Sequence, residues 1–256
     1  MDAVLHIDKQ VVSWLWPLMR VSGMMLVAPV FASAYIPIKV RGVISLVLAF
    51  VMLPHAQETP DVAVLSPAFF VVLARELLIG LAMGFVLRLV IDAAVLAGQT
   101  LAISMGLHFA TVVDPNHGGT PTVSQFYVII ASLLIVTTDA HLAFVQVVAE
   151  SFTAMPIASS SFSPEIAYGV VVYAGTMFAG GLQLALPAIA AILMVNVAFG
   201  VVSRAAPTLN LFAVGLPITM LVGFLVTLIG IKDIFPVWME TTNQAFLHIA
   251  QIVSGG

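Results

Sequence analysis

The chain has 256 residues and no cysteine. That absence excludes disulfides and thiolate metal sites. Charge is almost as scarce: 8 Lys and Arg, 12 Asp and Glu, together 8% of residues. An average soluble domain carries about 25% charged residues, so too few charges are present here to cover the surface of a water-soluble globule. Intrinsic disorder is excluded as well, because it requires low hydrophobicity and high charge. The net charge of −4 and the sequence pI near 5.8 leave no basic face for nucleic acid. What the chain has instead is apolar residues, 61% of the total, with a mean hydropathy of +1.15. Those values describe an all-α, polytopic membrane protein.

The signatures of chemistry are missing too. There is no H-E-x-x-H zinc motif, no Walker or Rossmann glycine motif and no G-x-S-x-G elbow. Ser124 and His141 could form a nucleophile–base pair only with an oxyanion-hole motif, and none is present. His108 and His117 lie in a turn-rich stretch without a second-histidine or carboxylate pattern, and scattered histidines are more often structural than ligating. The chain gives no sign of catalysis, cofactor or metal.

The gaps between charges set the architecture. Uncharged runs extend over Val21–Ile38, Gly42–Gln57, Ala93–Val113, Pro115–Thr138, Ile166–Ser203 and Ala205–Ile231. A span needs about 20 apolar residues. The 166–203 run would reach about 57 Å as one straight helix, so Gly180-Gly181 and Pro187 predict a broken helix or hairpin there. Helices are expected over about 9–29, 38–53, 67–105, 122–138, 140–153, 165–203, 209–231 and 234–252. The small-x-small triplet Ala32-Ser33-Ala34 resembles a leader cleavage site. The first residues lack a basic start, however, and Arg20 interrupts the apolar stretch, so the segment is read as a first helix. Positive-inside counting conflicts with itself, because Arg204 and Lys232 flank a single apolar run. Either that run is a hairpin broken near Gly215-Leu216-Pro217, or the rule does not operate here. No linker or low-complexity stretch divides the chain, so residues 1–256 are read as one domain.

Three rows step by four residues. Glu76, Gly80, Gly84, Arg88 and Asp92 form one stripe, with Arg75 beside Glu76. Asn196, Gly200 and Arg204 form the second, and Gly215, Thr219, Gly223 and Thr227 the third. Glycine at this spacing lets a second helix approach closely. Charges inside an apolar helix should face protein or water. The rows are expected to be packing faces with register-fixing ion pairs rather than a transport path.

Residues 105–121 differ from all of these. Met105-Gly106-Leu107-His108-Phe109-Ala110-Thr111-Val112-Val113-Asp114-Pro115-Asn116-His117-Gly118-Gly119-Thr120-Pro121 must be irregular, yet it is too apolar for an ordinary exposed loop. Irregular backbone at membrane depth is tolerated where it is buried in protein or lines a cavity, so a re-entrant or pore-filling loop fits.

The ordered set of residues resembles the FliR family of flagellar export gates, called SctT in virulence-type injectisomes. It begins with Arg20, Gly23, Pro29, Phe31 and Ile36-Pro37-x-x-Val40-Arg41. It continues through Gly80, Gly84, Ala97-Gly98, Met105-Gly106, Phe109-Ala110, Asp114-Pro115, Gly118-Gly119, Pro121 and Gln125-Phe126. His141, Ser151-Phe152 and Pro156 follow. The most specific block is Gly181-Leu182-x-Leu184-Ala185-Leu186-Pro187, with Asn196, Gly200, Arg204-Ala205-Ala206-Pro207, Asn210, Phe212, Val214-Gly215-x-Pro217 and Gly223. One departure is Ala140 before His141, where the family usually has glycine.

The resemblance implies a fold of helical hairpins, similar to a FliP-like part fused to a FliQ-like part. It implies one copy of this chain in a gate with FliP and FliQ homologues, with FlhB and FlhA at the cytoplasmic side. The expected location is the bacterial inner membrane at the flagellar basal body, partly toward the periplasm and in contact with lipid. Unfolded export substrates would pass through the centre. Met105, Gly106, Leu107, Phe109, Val112, Val113, Asp114, Gly118 and Gly119 would belong to a plug that closes the resting pore. Glu76, Gly80, Gly84, Arg88, Asp92, Arg204, Gly215 and Gly223 would serve subunit packing or buried ion pairs. The competing expectation, a secondary transporter or channel for a small solute, would use Arg88/Asp92 for coupling and Pro187 as a binding break.

Overall fold

A computed structural model describes residues 2–32, 36–56, 60, 62–107, 122–158, 162–205 and 211–254; the side chains of 2–12, 205 and 211–213 are outside that description. The described residues form helices and no strand: α1 (Asp2–Val27), α2 (Ile38–Met52), a 3-10 turn (Leu53–His55), α3 (Pro67–Ser104), α4 (Thr122–Thr137), α5 (Ala140–Ala154), α6 (Pro164–Ala205), α7 (Leu211–Ile229) and α8 (Ile231–Ser254). The all-α class expected from composition is the class observed.

Local chemistry explains the ends. Pro37 precedes α2 with φ −57°, and Pro54 sits in the 3-10 turn that closes it. The two longest helices start in the same way, with a serine followed by a proline. The Phe69 amide donates to Ser66 Oγ at 3.2 Å, and the Ile166 amide donates to Ser163 Oγ at 3.4 Å. Each serine satisfies an orphan first-turn donor, and each proline occupies the first helical position, where its missing N–H costs nothing.

The structure corrects one expected break and decides an open one. α6 runs unbroken through Gly180-Gly181, with Pro187 inside it, and α7 runs through Pro217. A proline removes one helical hydrogen bond, and in an apolar helix neighbouring groups can re-satisfy what it frees. The bends fall elsewhere. α4 and α5 meet at 63° and α7 and α8 at 62°. At the first, Asp139 adopts the left-handed conformation, φ 54°. At the second, Gly230 separates the helices. Ala140 is already helical and buried, so the turn before His141 takes its left-handed residue at Asp139 and needs no glycine at 140. Among the described residues three helices are long and apolar enough to cross a membrane, or up to five spans if each bent pair counts as one.

The chain divides into two compact units. The first comprises residues 1–89, 135–174 and 242–256, and its fully buried side chains include Trp16, Met24, Ile79, Met83, Phe144 and Phe152. The second comprises residues 90–134 and 175–241, with Leu101, Met105, Ala185 and Ile192 in its core.

Candidate functional site

Within the first unit α1 and α3 touch backbone to backbone. A Cβ on Gly80 would run into the Arg20 carbonyl and lie 2.9 Å from the Met24 amide nitrogen. On Gly84 it would lie 2.9 Å from the Met24 carbonyl oxygen and 3.2 Å from the Ala28 nitrogen. Gly23 of α1 answers from the other side, where a Cβ would meet the Leu77 carbonyl and the Leu81 nitrogen. Three glycines therefore remove the side chains that would hold the two axes apart. In this structure the Gly80/Gly84 row lies against the chain's own α1; the resemblance implies subunit packing or buried ion pairs.

Close approach delivers Arg20 to Glu76. Both side chains are fully buried, with guanidinium and carboxylate 2.7 Å apart. Arg20 Nε donates to Glu76 Oε2 at 2.7 Å. Nη1 donates to the Ser151 carbonyl at 2.8 Å and to Ser151 Oγ at 3.0 Å, and Nη2 to the Met155 carbonyl at 3.0 Å. The face of the guanidinium lies 4.3 Å from the centre of the Phe152 ring. Arg75 stands 3.6 Å from the other carboxylate oxygen and donates to the Ile157 carbonyl. Two arginines, from α1 and α3, thus hold carbonyls in the last turn of α5 and just past it. The Ser151 carbonyl also accepts from the Met155 amide at 2.9 Å, carbonyls past the last turn lack helical donors, and cations suit a helix C-terminus. A guanidinium remains charged throughout the physiological range. The arrangement is a fixed clasp, with no group poised for proton transfer.

The other predicted residues differ in exposure. Arg88 is exposed and Asp92 half-buried. Asn196, Gly200 and Arg204 all lie on the exposed side of α6, and a Cβ on Gly200 would meet nothing within 4 Å. Gly215 is buried, yet the space beyond it is also open. Gly223 packs in the second unit against Met105 and against Ile192 Cδ1, which would lie 3.0 Å from an added Cβ. Met105 is fully buried there, and Gly106 follows in the left-handed conformation, φ 77°. Leu107 is half-buried. The remaining plug residues, Phe109, Val112, Val113, Asp114, Gly118 and Gly119, lie outside the described residues. Among the described residues no cluster of His, Asp and Glu could hold a metal ion.

The family described as bacterial export proteins, family 1, matches residues 11–245. The chain belongs to that family. It is 30% identical over 252 residues to the flagellar biosynthetic protein FliR of Escherichia coli K12, covering 96% of each chain. It is 32% identical over 242 residues to the protein of that name from Pectobacterium carotovorum, covering 93% of this chain and 92% of the relative. The Bacillus subtilis relative of the same name is 28% identical over 222 residues, 85% of each. The family match begins before Arg20 and ends after Gly223, so it takes in the clasp and all three glycine rows. Arg20 carries the clasp, yet spacing gave no cue to it. Its counter-ion lies 56 positions away, and only its place inside an apolar run hinted that it was buried and paired.

Proposed function

We propose that this chain is a FliR-type core subunit of a flagellar type III export gate. It assembles in one copy with FliP and FliQ homologues in the bacterial inner membrane, partly toward the periplasm, with FlhB and FlhA alongside. Unfolded flagellar subunits pass through the assembled pore. The observation that carries this reading is likeness to FliR proteins over nearly the full length of both chains. The uncovered apolar surface supports it. The most apolar stretch of α6 is only 17% buried, against 50% for that of α3. Phe178, Leu193, Met194, Val197 and Val201 of α6 and Leu221, Leu228 and Ile229 of α7 are all exposed. Exposed apolar patches of such extent mark interaction surfaces or lipid contact.

Residues 105–121 form the plug of the resting pore in this proposal. Met105 anchors its first residue in the second unit, and Gly106 lets the chain turn away from α3. The test is co-expression of the tagged chain with FliP and FliQ homologues, followed by mild-detergent purification. A stable three-protein complex is the expected product, and removal of residues 108–118 should leave that complex intact while raising ion leakage across the membrane. A chain recovered alone or as a homo-oligomer would point to a solute transporter instead.

A further inference from the structure

The second unit holds a small notch in an otherwise apolar surface. Its volume is about 50 Å³, and Gln183, Pro187, Tyr127, Thr227, Gly230 and Asp233 are among its lining residues. Around it α6 and α7 expose Leu182, Leu186, Phe224, Leu225 and Leu228. Acceptors collect at this point. Pro187 has no N–H, so the Gln183 carbonyl lacks the donor that a helix supplies four residues on. Gln183 and Pro187 both line the notch, which puts that carbonyl on the same face. Asp233 adds a carboxylate from the first turn of α8. Its side chain has no hydrogen-bond or ion-pair partner among the described residues. At the floor the hydroxyls of Tyr127 and Thr227 are hydrogen-bonded to one another, and Thr227 Oγ1 donates to the Gly223 carbonyl at 2.8 Å. They are already satisfied. The open positions are acceptors, and one of them is an anion.

A carboxylate without a partner, set in an apolar face, becomes costly once that face is covered. The start of α8 offsets part of that cost through its dipole, but it offers nothing to the Gln183 carbonyl 50 residues earlier. We infer that the notch receives a basic side chain, a lysine or arginine, projecting from an apolar helix of a partner subunit. The cation would pair with Asp233 and donate to the freed Gln183 carbonyl while the flanking leucines pack on the partner helix. The room suits the head of one side chain and no larger group. This inference rests on the gate reading above and adds the chemistry of one contact to it.

The test uses the whole chain co-expressed with its FliP and FliQ homologues. Asp233 is exposed, so its substitution leaves the fold of the chain intact. Asp233→Lys should lower recovery of the partners at least tenfold, while Asp233→Glu should retain most of it and the chain's own membrane level should stay constant in both. A photoreactive residue at Gln183 should cross-link within one helical turn of a lysine or arginine in a partner subunit, and reversing that partner charge should restore assembly with Asp233→Lys. Unchanged recovery with Asp233→Lys would overturn the inference alone. So would cross-links confined to lipid, or to partner segments without a basic residue. Failure of the unsubstituted chain to recover either partner would overturn the gate reading and the inference with it.

Discussion

Two glycine rows with the same four-residue step meet opposite fates. Gly80 and Gly84 of α3 lie against the α1 backbone, with no room for a Cβ. Gly200 of α6, one step from Asn196 and Arg204, has open space around it. The pattern i, i+4 of small residues states that a helix can be approached closely. It does not state by which helix. The first row is taken up inside this chain, where it brings α1 near enough for Arg20 to reach Glu76. The second is uncovered, on a helix whose apolar surface is mostly exposed. One row builds the subunit, and the other stays exposed.

The contrast can be broken most severely at the clasp. Arg20→Ala removes the cation 2.7 Å from the buried Glu76 carboxylate, and also strips donors from the Ser151 and Met155 carbonyls. Breaking a buried pair from one side costs about 3–5 kcal/mol. The expected outcome is loss of the chain from membranes even when it is expressed alone, measured by immunoblot and by protease sensitivity. Glu76→Gln should be milder, since an amide still accepts from Arg20 Nε. Replacing both residues with methionine should recover more protein than Arg20→Ala, because no charge then remains buried. If Arg20→Ala accumulates like the unsubstituted chain, the clasp does not hold the first unit together.

Much of the fold was legible before the structure. Most helix boundaries fell within about two residues, because serine–proline starts and charged or proline-rich ends are local signals. The misjudged features share a physical cause. Pro187 and Pro217 look like breaks in one dimension, yet an apolar helix passes through both. One real bend takes a left-handed residue at Asp139, and the other falls at Gly230. In the candidate site the glycine row was legible and its occupant was not, since Arg20 is 56 positions from Glu76 whereas Arg75 is adjacent. Adjacency suggested the weaker contact, 3.6 Å, and the fold made the stronger one, 2.7 Å.

A smaller effect is expected from the α1–α3 seam itself. Gly84→Leu places a side chain where Met24 and Ala28 backbone atoms stand about 3 Å from the first added carbon. Backbone cannot swing aside as a flexible side chain can, so α1 must retreat, and overpacking of this kind costs typically 1–3 kcal/mol. Moving α1 also lengthens the Arg20–Glu76 contact, so the two losses should not add in a double variant with Arg20→Ala. Thermal melting of the detergent-purified chain, followed by loss of monomer, reads this directly. Fully additive losses would mean that the seam and the clasp are independent.

The smallest effect on the chain alone, and the sharpest test of the comparison, belongs to Gly200. The first carbon of a leucine there meets nothing within 4 Å, and the leucine replaces glycine inside a helix, where glycine is the weaker former by about 1 kcal/mol relative to alanine. The chain by itself should therefore be as stable as before or slightly more so. If the row on α6 receives a helix from a partner, the same leucine blocks that approach, and recovery of the partner should fall while the melting temperature of the lone chain holds. Gly84→Leu should show the reverse order, with the lone chain failing first. Should Gly200→Leu leave both measurements unchanged, the α6 row faces lipid, and of the two glycine rows only the internal one acts as a helix-docking face.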